Sequence, residues 1–272
     1  MHSPMRGDMQ RVPWSADLRS RLMPLFDAPP PVPVRLWAIM DGAAPGRILV
    51  DDPQRPSCAL IQELAEGTAY LGGRADSAWV HAGVDLLRRE QDVVVCLWPD
   101  DPRASSLPPA PDYVGEAVDF TERGPADAVV LPDGYTLRTI DADVVPRLRG
   151  FDYYVAMFGS VTQALAGTVG SCVLWQDAVV SEAVAGPFAR GLAEIGVGTE
   201  AAHQGKGLAT AVAARVIGAC EERGFQPFWN AAAQNSASVA LARRLGFRHA
   251  RTALVYAWSG VRRVAMGVAE GR

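Results

Sequence analysis

A glycine loop set between an apolar strand and an apolar helix constrains this chain more than any other feature. The loop is Gln204-Gly205-Lys206-Gly207-Leu208-Ala209, and the strand before it contains Glu194-Ile195-Gly196-Val197. Behind the loop, Leu208, Val212, Val216 and Cys220 recur at every fourth position, with Ala209, Ala213 and Ile217 beside them. That is the stripe of a buried helix. Glu221-Glu222-Arg223-Gly224 then supplies a polar end and a stop. A helix starting near Gly205 exposes unpaired N–H groups in its first turn, and its dipole adds positive potential there. Glycines at 205 and 207 let a phosphate approach the backbone, and Lys206 adds charge. A tightly packed helix start without a ligand accounts for the loop alone equally well.

A second motif, Asn235-Ser236-Ala237-Ser238-Val239-Ala240-Leu241-Ala242-Arg243-Arg244-Leu245-Gly246-Phe247, begins 31 residues after Gln204. Asn235 can cap a helix by accepting from the N–H of Ala237 or Ser238. Leu241 and Leu245 share a face, Gly246 suits the left-handed position after the helix, and Phe247 folds back onto it. Asn235 is a plain cap, a ligand contact, or both. A strand over Gln226–Ala231 separates the two motifs.

Two rival phosphate loops fail. Gly196-Val197-Gly198-Thr199-Glu200-Ala201 matches the dinucleotide fingerprint, but that fingerprint opens its helix near Gly198. Gly205 and Gly207 would then fall inside the helix at about 1 kcal/mol each. Glu221 and Glu222 lie on a helix, not at the end of a second strand. A Walker A loop needs glycine where Glu200 stands and Ser or Thr where Gly207 stands.

In this order the motifs resemble the acyl-CoA-binding core of the GNAT N-acetyltransferase superfamily, firmly over residues 190–258 and more loosely back to 130. Phrases such as Val180-Ser181-Glu182-Ala183, Pro227-Phe228-Trp229-Asn230 and Leu241-Ala242-Arg243-Arg244-Leu245-Gly246-Phe247 resemble the zwittermicin A resistance-type subfamily. The resemblance implies an α/β fold with a mixed, mostly antiparallel splayed sheet, and acetyl-CoA as co-substrate. It implies cofactor contacts at Ile195, Val197, Thr199, Gln204, Gly205, Lys206, Gly207, Leu208, Ala209, Thr210, Asn235 and Ser238. It also implies transfer to a primary amine of a small molecule, such as an amine antibiotic. A peptide or protein acetyltransferase and a non-catalytic acyl-CoA-binding regulator remain the alternatives.

Alternation turns Glu194 away from Ile195 and Val197, onto the face of Gly196 and Gly198, where the missing side chains leave room for a ligand. A glutamate on this strand often serves as base in the superfamily. Glu194 is therefore the expected base, with a structural ion pair as its other reading. Glu182 and Glu200 are weaker candidates. The superfamily's usual proton-donating tyrosine falls at Ala242 here, so Tyr256 becomes the tyrosine candidate, with a core aromatic as its alternative. His203, next to the loop, reads as a surface residue, with a catalytic role as its alternative.

At 272 residues, with 49% apolar and 21% charged residues, the chain can bury a core and hold two domains. We expect a smaller N-terminal α/β domain with linker over 12–127, structural or substrate-capping and binding no second cofactor, and the acetyltransferase domain over 128–272. In the first, Gly67–Leu71 and Asp92–Trp98 read as strands and Ala75–Arg89 as a helix. In the second, Asp141–Leu148 and Tyr154–Leu165 read as helices, and Ala250–Trp258 with Val261–Val268 as a closing hairpin. No internal repeat is visible. The net charge of −4 argues against nucleic acid. No apolar run is long enough to span a membrane, and no signal segment opens the chain. The four cysteines, Cys58, Cys96, Cys172 and Cys220, lack metal spacing and read as buried free thiols, which suits the cytoplasm. No metal is expected, and a homodimer stays open.

Overall fold

In a computed structural model the protein is described over residues 9–26, 28–120, 122–124, 130–248 and 251–261, the side chains of Phe151 and Asp152 excepted. It packs as two compact units, one of residues up to Glu116 together with those from Ala253, the other Ala117–Thr252. The boundary expected at 127/128 falls among residues 125–129, outside the described ones.

The first unit contains β1 (Gln10–Val12), α1 (Ala16–Leu22), α2 (Pro33–Met40), β2 (Gly46–Val50), β3 (Cys58–Glu63), β4 (Thr68–Gly73), α3 (Ser77–Arg88) and β5 (Val93–Leu97). Most of β14 (Arg251–Trp258), the last described strand, joins them. Its sheet runs β1-β2-β3-β4-β5-β14, antiparallel except for β4 and β5. The stripe Val80, Val84 and Leu87 seats α3 on the strands with Leu60, Leu71 and Val95. Asp76 caps α3, its carboxylate accepting from the Trp79 N–H at 2.8 Å. Every residue of α2 from Val34 to Met40 is buried, including Arg35, whose charge is matched by Glu63 and Glu66.

The second unit contains most of β6 (Tyr113–Phe120), then β7 (Glu122–Arg123), β8 (Tyr135–Thr139), α4 (Phe151–Phe158), α5 (Val161–Gly167), β9 (Val169–Trp175), β10 (Ala178–Ala189) and β11 (Leu192–Thr199). After them come α6 (Leu208–Glu222), β12 (Gln226–Ala232), α7 (Ser236–Arg244) and β13 (Phe247–Arg248). The sheet order is β6-β12-β11-β10-β9-β8, with only β11 and β12 parallel. Leu208, Val212, Val216 and Cys220 all lie in the core against Ala183, Ile195 and Trp229, so the stripe packs as its period requires. A smaller cluster around Val145, Leu148 and Cys172, with Tyr154 against it, fills the opposite face. The fold is thus α/β with a mixed, mostly antiparallel sheet. Among the described residues no helix is long and apolar enough to cross a membrane.

Three local expectations change. The single helix over 154–165 is two helices, because Gly159 turns left-handed at φ 82° and Ser160 caps a new one by accepting from the Gln163 N–H. Asp141 caps no α-helix; its carboxylate accepts from Asp143 and Val144 in a turn, and only a 3-10 segment follows at Val145–Arg147. Among the described residues β14 pairs with β5, a neighbour that the expected closing hairpin did not include, Tyr256 facing Val95. Residues 262–268 of the expected partner lie outside the described ones.

The two units also repeat each other. Strand, two helices, three antiparallel strands, helix and parallel strand occur in that order over residues 10–97 and again over 135–232. Residue identity hides this repeat; connectivity and pairing carry it.

Gly67 shows how tightly the first parallel pair is built. Its φ is +82°, an added Cβ would collide with the Asp92 carbonyl, and its own carbonyl accepts from Val94 at 3.0 Å. Gly67→Ala should lower unfolding free energy by about 1–3 kcal/mol, read from the urea midpoint at unchanged slope.

Candidate active site

The path from β11 to α6 differs from its sequence reading in one respect: the α-helix opens at Leu208, not near Gly205. Gly205 and Gly207 both take left-handed backbone, at φ +75° and +79°, and an added Cβ at either meets nothing within 4 Å. Glycine is required there by torsion, and the open space beyond is what a ligand can use. No side chain caps α6, so its first N–H groups face outward with the dipole behind them.

A cavity of about 580 Å³ lies against this loop. Ten of the twelve residues expected at the cofactor line it: Val197, Thr199, Gln204, Gly205, Gly207, Leu208, Ala209, Thr210, Asn235 and Ser238. Ile195 does not, because it points into the core against α6. Lys206 is also absent from the lining. Its ammonium donates to the Tyr135 hydroxyl at 3.0 Å and the Ala202 carbonyl at 3.2 Å. The Tyr135 hydroxyl also shares a hydrogen bond with His203 Nδ1, 2.9 Å away, whose direction follows the imidazole tautomer. Trp175 packs on Tyr135 at 4.6 Å and completes the brace. His203, read as a surface residue, lines the cavity. Arg244 also lines it and was not singled out in the sequence.

The parallel pair explains why a cavity exists. β11 and β12 pair only from Leu192↔Gln226 to Glu194↔Phe228, and Val197, Gly198 and Thr199 further along β11 line the cavity. On β12 the Trp229 indole donates to the Ser238 hydroxyl at 3.1 Å. Asn235 caps α7 by accepting from the Ser238 N–H at 3.1 Å. Ser238 therefore keeps its hydroxyl proton to give. Ala242 is fully buried in the core, where a tyrosine would need different surroundings.

The face of the sheet opposite α6 carries carboxylates. Glu194 is 6% exposed and sits opposite a register shift of β10 between Ala185 and Phe188. Glu182 pairs in register with Gly198 and so shares that face. Its carboxylate accepts from the Arg149 and Gly150 N–H groups at 3.0 and 3.2 Å, anchoring the entry to α4. Asp119 of β6, also buried, accepts from the Asn230 side chain at 2.6 Å and lies on this face too. Sequence reasoning missed Asp119, whose partner is 111 residues away. Gly196 and Gly198 carry no side chain on this face; an added Cβ would stand 3.9 Å from the Val184 carbonyl and 4.0 Å from Glu182 Cγ. Tyr256 lies elsewhere, on β14, packed against the core of the first unit, which fits a core aromatic.

Burial raises the Glu182 carboxyl above its ordinary 4.5, against the pull of the two N–H bonds and Arg149. A carboxyl raised on folding contributes stability that is complete below 4.5 and is lost as pH rises through the folded value. Glu182→Gln carries no such slope. Urea melts from about pH 4 to about pH 8 should show wild type losing stability relative to this variant as pH rises.

The sequence pattern of the GNAT acetyltransferase family matches residues 123–256. Over 235 residues the chain is 28% identical to an uncharacterized N-acetyltransferase, YdfB, of Bacillus subtilis, covering 82% of this chain and 90% of that one. A GCN5-related N-acetyltransferase-like protein from Streptococcus suis matches with a TM-score of 0.69 at 23% identity, over 89% of this chain and 99% of its own. A tandem GNAT protein from the clavulanic acid biosynthesis pathway matches with a TM-score of 0.58 at 16% identity, over 93% and 99%. At these identities the two structures speak for the fold, while the family pattern spans the glycine loop, the capped α7 and the parting strands. Residues 123–256 carry the GNAT acetyltransferase pattern, and the family match, the Bacillus relative and the structures together support an N-acetyltransferase of that family.

Proposed function

We propose that this enzyme transfers an acetyl group from acetyl-CoA to a primary amine of a small molecule, in the manner of the zwittermicin A resistance-type enzymes its motifs resemble. The observation that carries this reading is the division of polarity across β11. One side presents the uncapped start of α6 and a cavity with no carboxylate among its described lining residues; the other presents Glu182, Glu194 and Asp119. The first suits the phosphates of the donor, and the second suits a cationic amine.

An amine arrives protonated and must lose that proton before its lone pair can attack the thioester carbon. We assign this to Glu194, directly or through a water. Past Glu194 the N–H groups of β11 on the β12 side are released from the ladder and can hold the carbonyl oxygen as negative charge builds there. The carbon–sulfur bond then breaks, and the thiolate leaves with a proton. The first unit plays a supporting part. The first turn of α3, equivalent to the open start of α6, is already taken by the Asp76 carboxylate, which repels phosphate.

Two outcomes test the proposal. Acetyl-CoA should raise the melting temperature, NADH and ATP should not, and calorimetry should count one acetyl-CoA per chain. Gly207→Glu should erase the shift by placing a carboxylate in the phosphate site. With a panel of aminoglycosides, polyamines, aminopolyols and amino acids beside short peptides, transfer should appear with small amines. Glu194→Gln should lower its turnover about 10²-fold or more while leaving acetyl-CoA affinity near wild type. Normal turnover in that variant removes Glu194 from the role, and transfer confined to peptides replaces the acceptor class.

A further inference from the structure

Acyl-CoA carries three phosphates, two in its pyrophosphate and one on the ribose. The start of α6 is a single anion locus, with Gly205 and Gly207 open beside it. Lys206, the obvious second cation, is held by Tyr135 and Ala202 and does not line the cavity. Among the described residues the cavity's only Lys or Arg is Arg244, and no described Asp or Glu lines it to neutralise that charge.

Arg244 reaches the cavity by helical register. Ala237, Ala240, Leu241 and Arg244 are spaced i, i+3, i+4 and i+7, one face of α7, and all four line the cavity. Arg243, one position earlier, is equally near the helix end but lies off this face and does not line it. Nine residues of helix place Arg244 about 13 Å from Asn235. It therefore stands well away from the cap that closes the other end of the lining.

We propose that Arg244 binds the ribose phosphate of the donor and makes the enzyme specific for nucleotide-bearing CoA over carrier-bound phosphopantetheine, which has no such phosphate. This rests on reading the cavity as the acyl-CoA site. A guanidinium suits a phosphate dianion because its fixed fork of donors meets two oxygens at once. Helix-dipole compensation would also favour an arginine in the last turn of α7, but it would serve Arg243 equally well. The two arginines thus form an internal control.

The test measures binding of CoA, dephospho-CoA and free phosphopantetheine by calorimetry, with no acceptor present. Wild type should bind CoA about tenfold more tightly than dephospho-CoA at low salt, and added salt should shrink the ratio because Arg244 is exposed. Arg244→Leu should bring CoA down to the dephospho-CoA level without weakening dephospho-CoA. Arg243→Leu should keep the wild-type ratio. Equal binding of the two nucleotides by wild type, or the same loss in both variants, overturns the assignment while leaving the cavity as a CoA site. Failure of wild type to bind either nucleotide overturns the cavity reading itself. Tight, discriminating binding without acetyl transfer to any amine keeps Arg244 and removes only the proposed acceptor chemistry.

Discussion

The site depends on the parting of two parallel strands. β11 and β12 exchange register over three residue pairs and then stop at Glu194 and Phe228. A parallel sheet interior normally satisfies its N–H and C=O groups strand to strand. Here the ladder ends early, and the space beyond is kept by elements on each side. Ile195 and Val197 tie β11 to α6 through the core, while Trp229 ties β12 to α7 through the Ser238 hydroxyl. The Asn235 cap then fixes where α7 begins. The cavity is thus framed by packed side chains as well as by the loop, which is why its lining alternates between loop glycines and the apolar face of α7.

What the sequence disclosed is what local chemistry writes into it. The fourfold recurrence of Leu208, Val212, Val216 and Cys220 marked α6, and the Asn235 cap marked α7, because both are short-range signals. The exact opening of α6 was not legible, since left-handed torsion at Gly207 and a glycine inside a first turn look alike in sequence. Lys206 shows the same limit. Its place in the loop suggested a phosphate contact, yet its partner is Tyr135, 71 positions earlier, and no local pattern announces that bond. Asp119 with Asn230, and β14 with β5, are likewise long-range pairings fixed only by topology. Arg244 sat inside a recognised motif and was given no role there; tracing i, i+3, i+4 and i+7 from Ala237 would have found it.

The repeat was invisible for a different reason. Order of elements and sense of pairing survive substitution of nearly every residue, because they depend on which faces are apolar and not on which apolar residue stands there. The two copies nevertheless differ where chemistry is at stake. Both parallel pairs are brief, Thr68↔Val94 to Ala69↔Val95 in the first unit and three residue pairs in the second. In the first unit Arg74, Ala75 and Asp76 alone join strand to helix, and Asp76 ends as the cap of α3. In the second, eight residues intervene and the cap position is a left-handed glycine with no side chain. A capped helix is the more stable end, by about 1 kcal/mol, so the second unit forgoes local stability at the place where an anion can supply the missing contacts.

That exchange also explains the distribution of charge about β11. Leaving a helix start uncapped is useful only if no carboxylate of the protein's own can fold into it. The described cavity lining obeys this, with Arg244 and no acid. The acids lie on the other face, and each is restrained there: Glu182 by two backbone N–H groups, Asp119 by Asn230, and Glu194 by its place on a buried strand. Gly196 and Gly198 place no side chain on the carboxylate face beside Glu194. A donor held by phosphates on one side and an amine drawn by carboxylates on the other would meet at the point where β11 leaves β12, so the strand that separates the charges is also the one whose freed N–H groups can stabilise the reacting carbonyl.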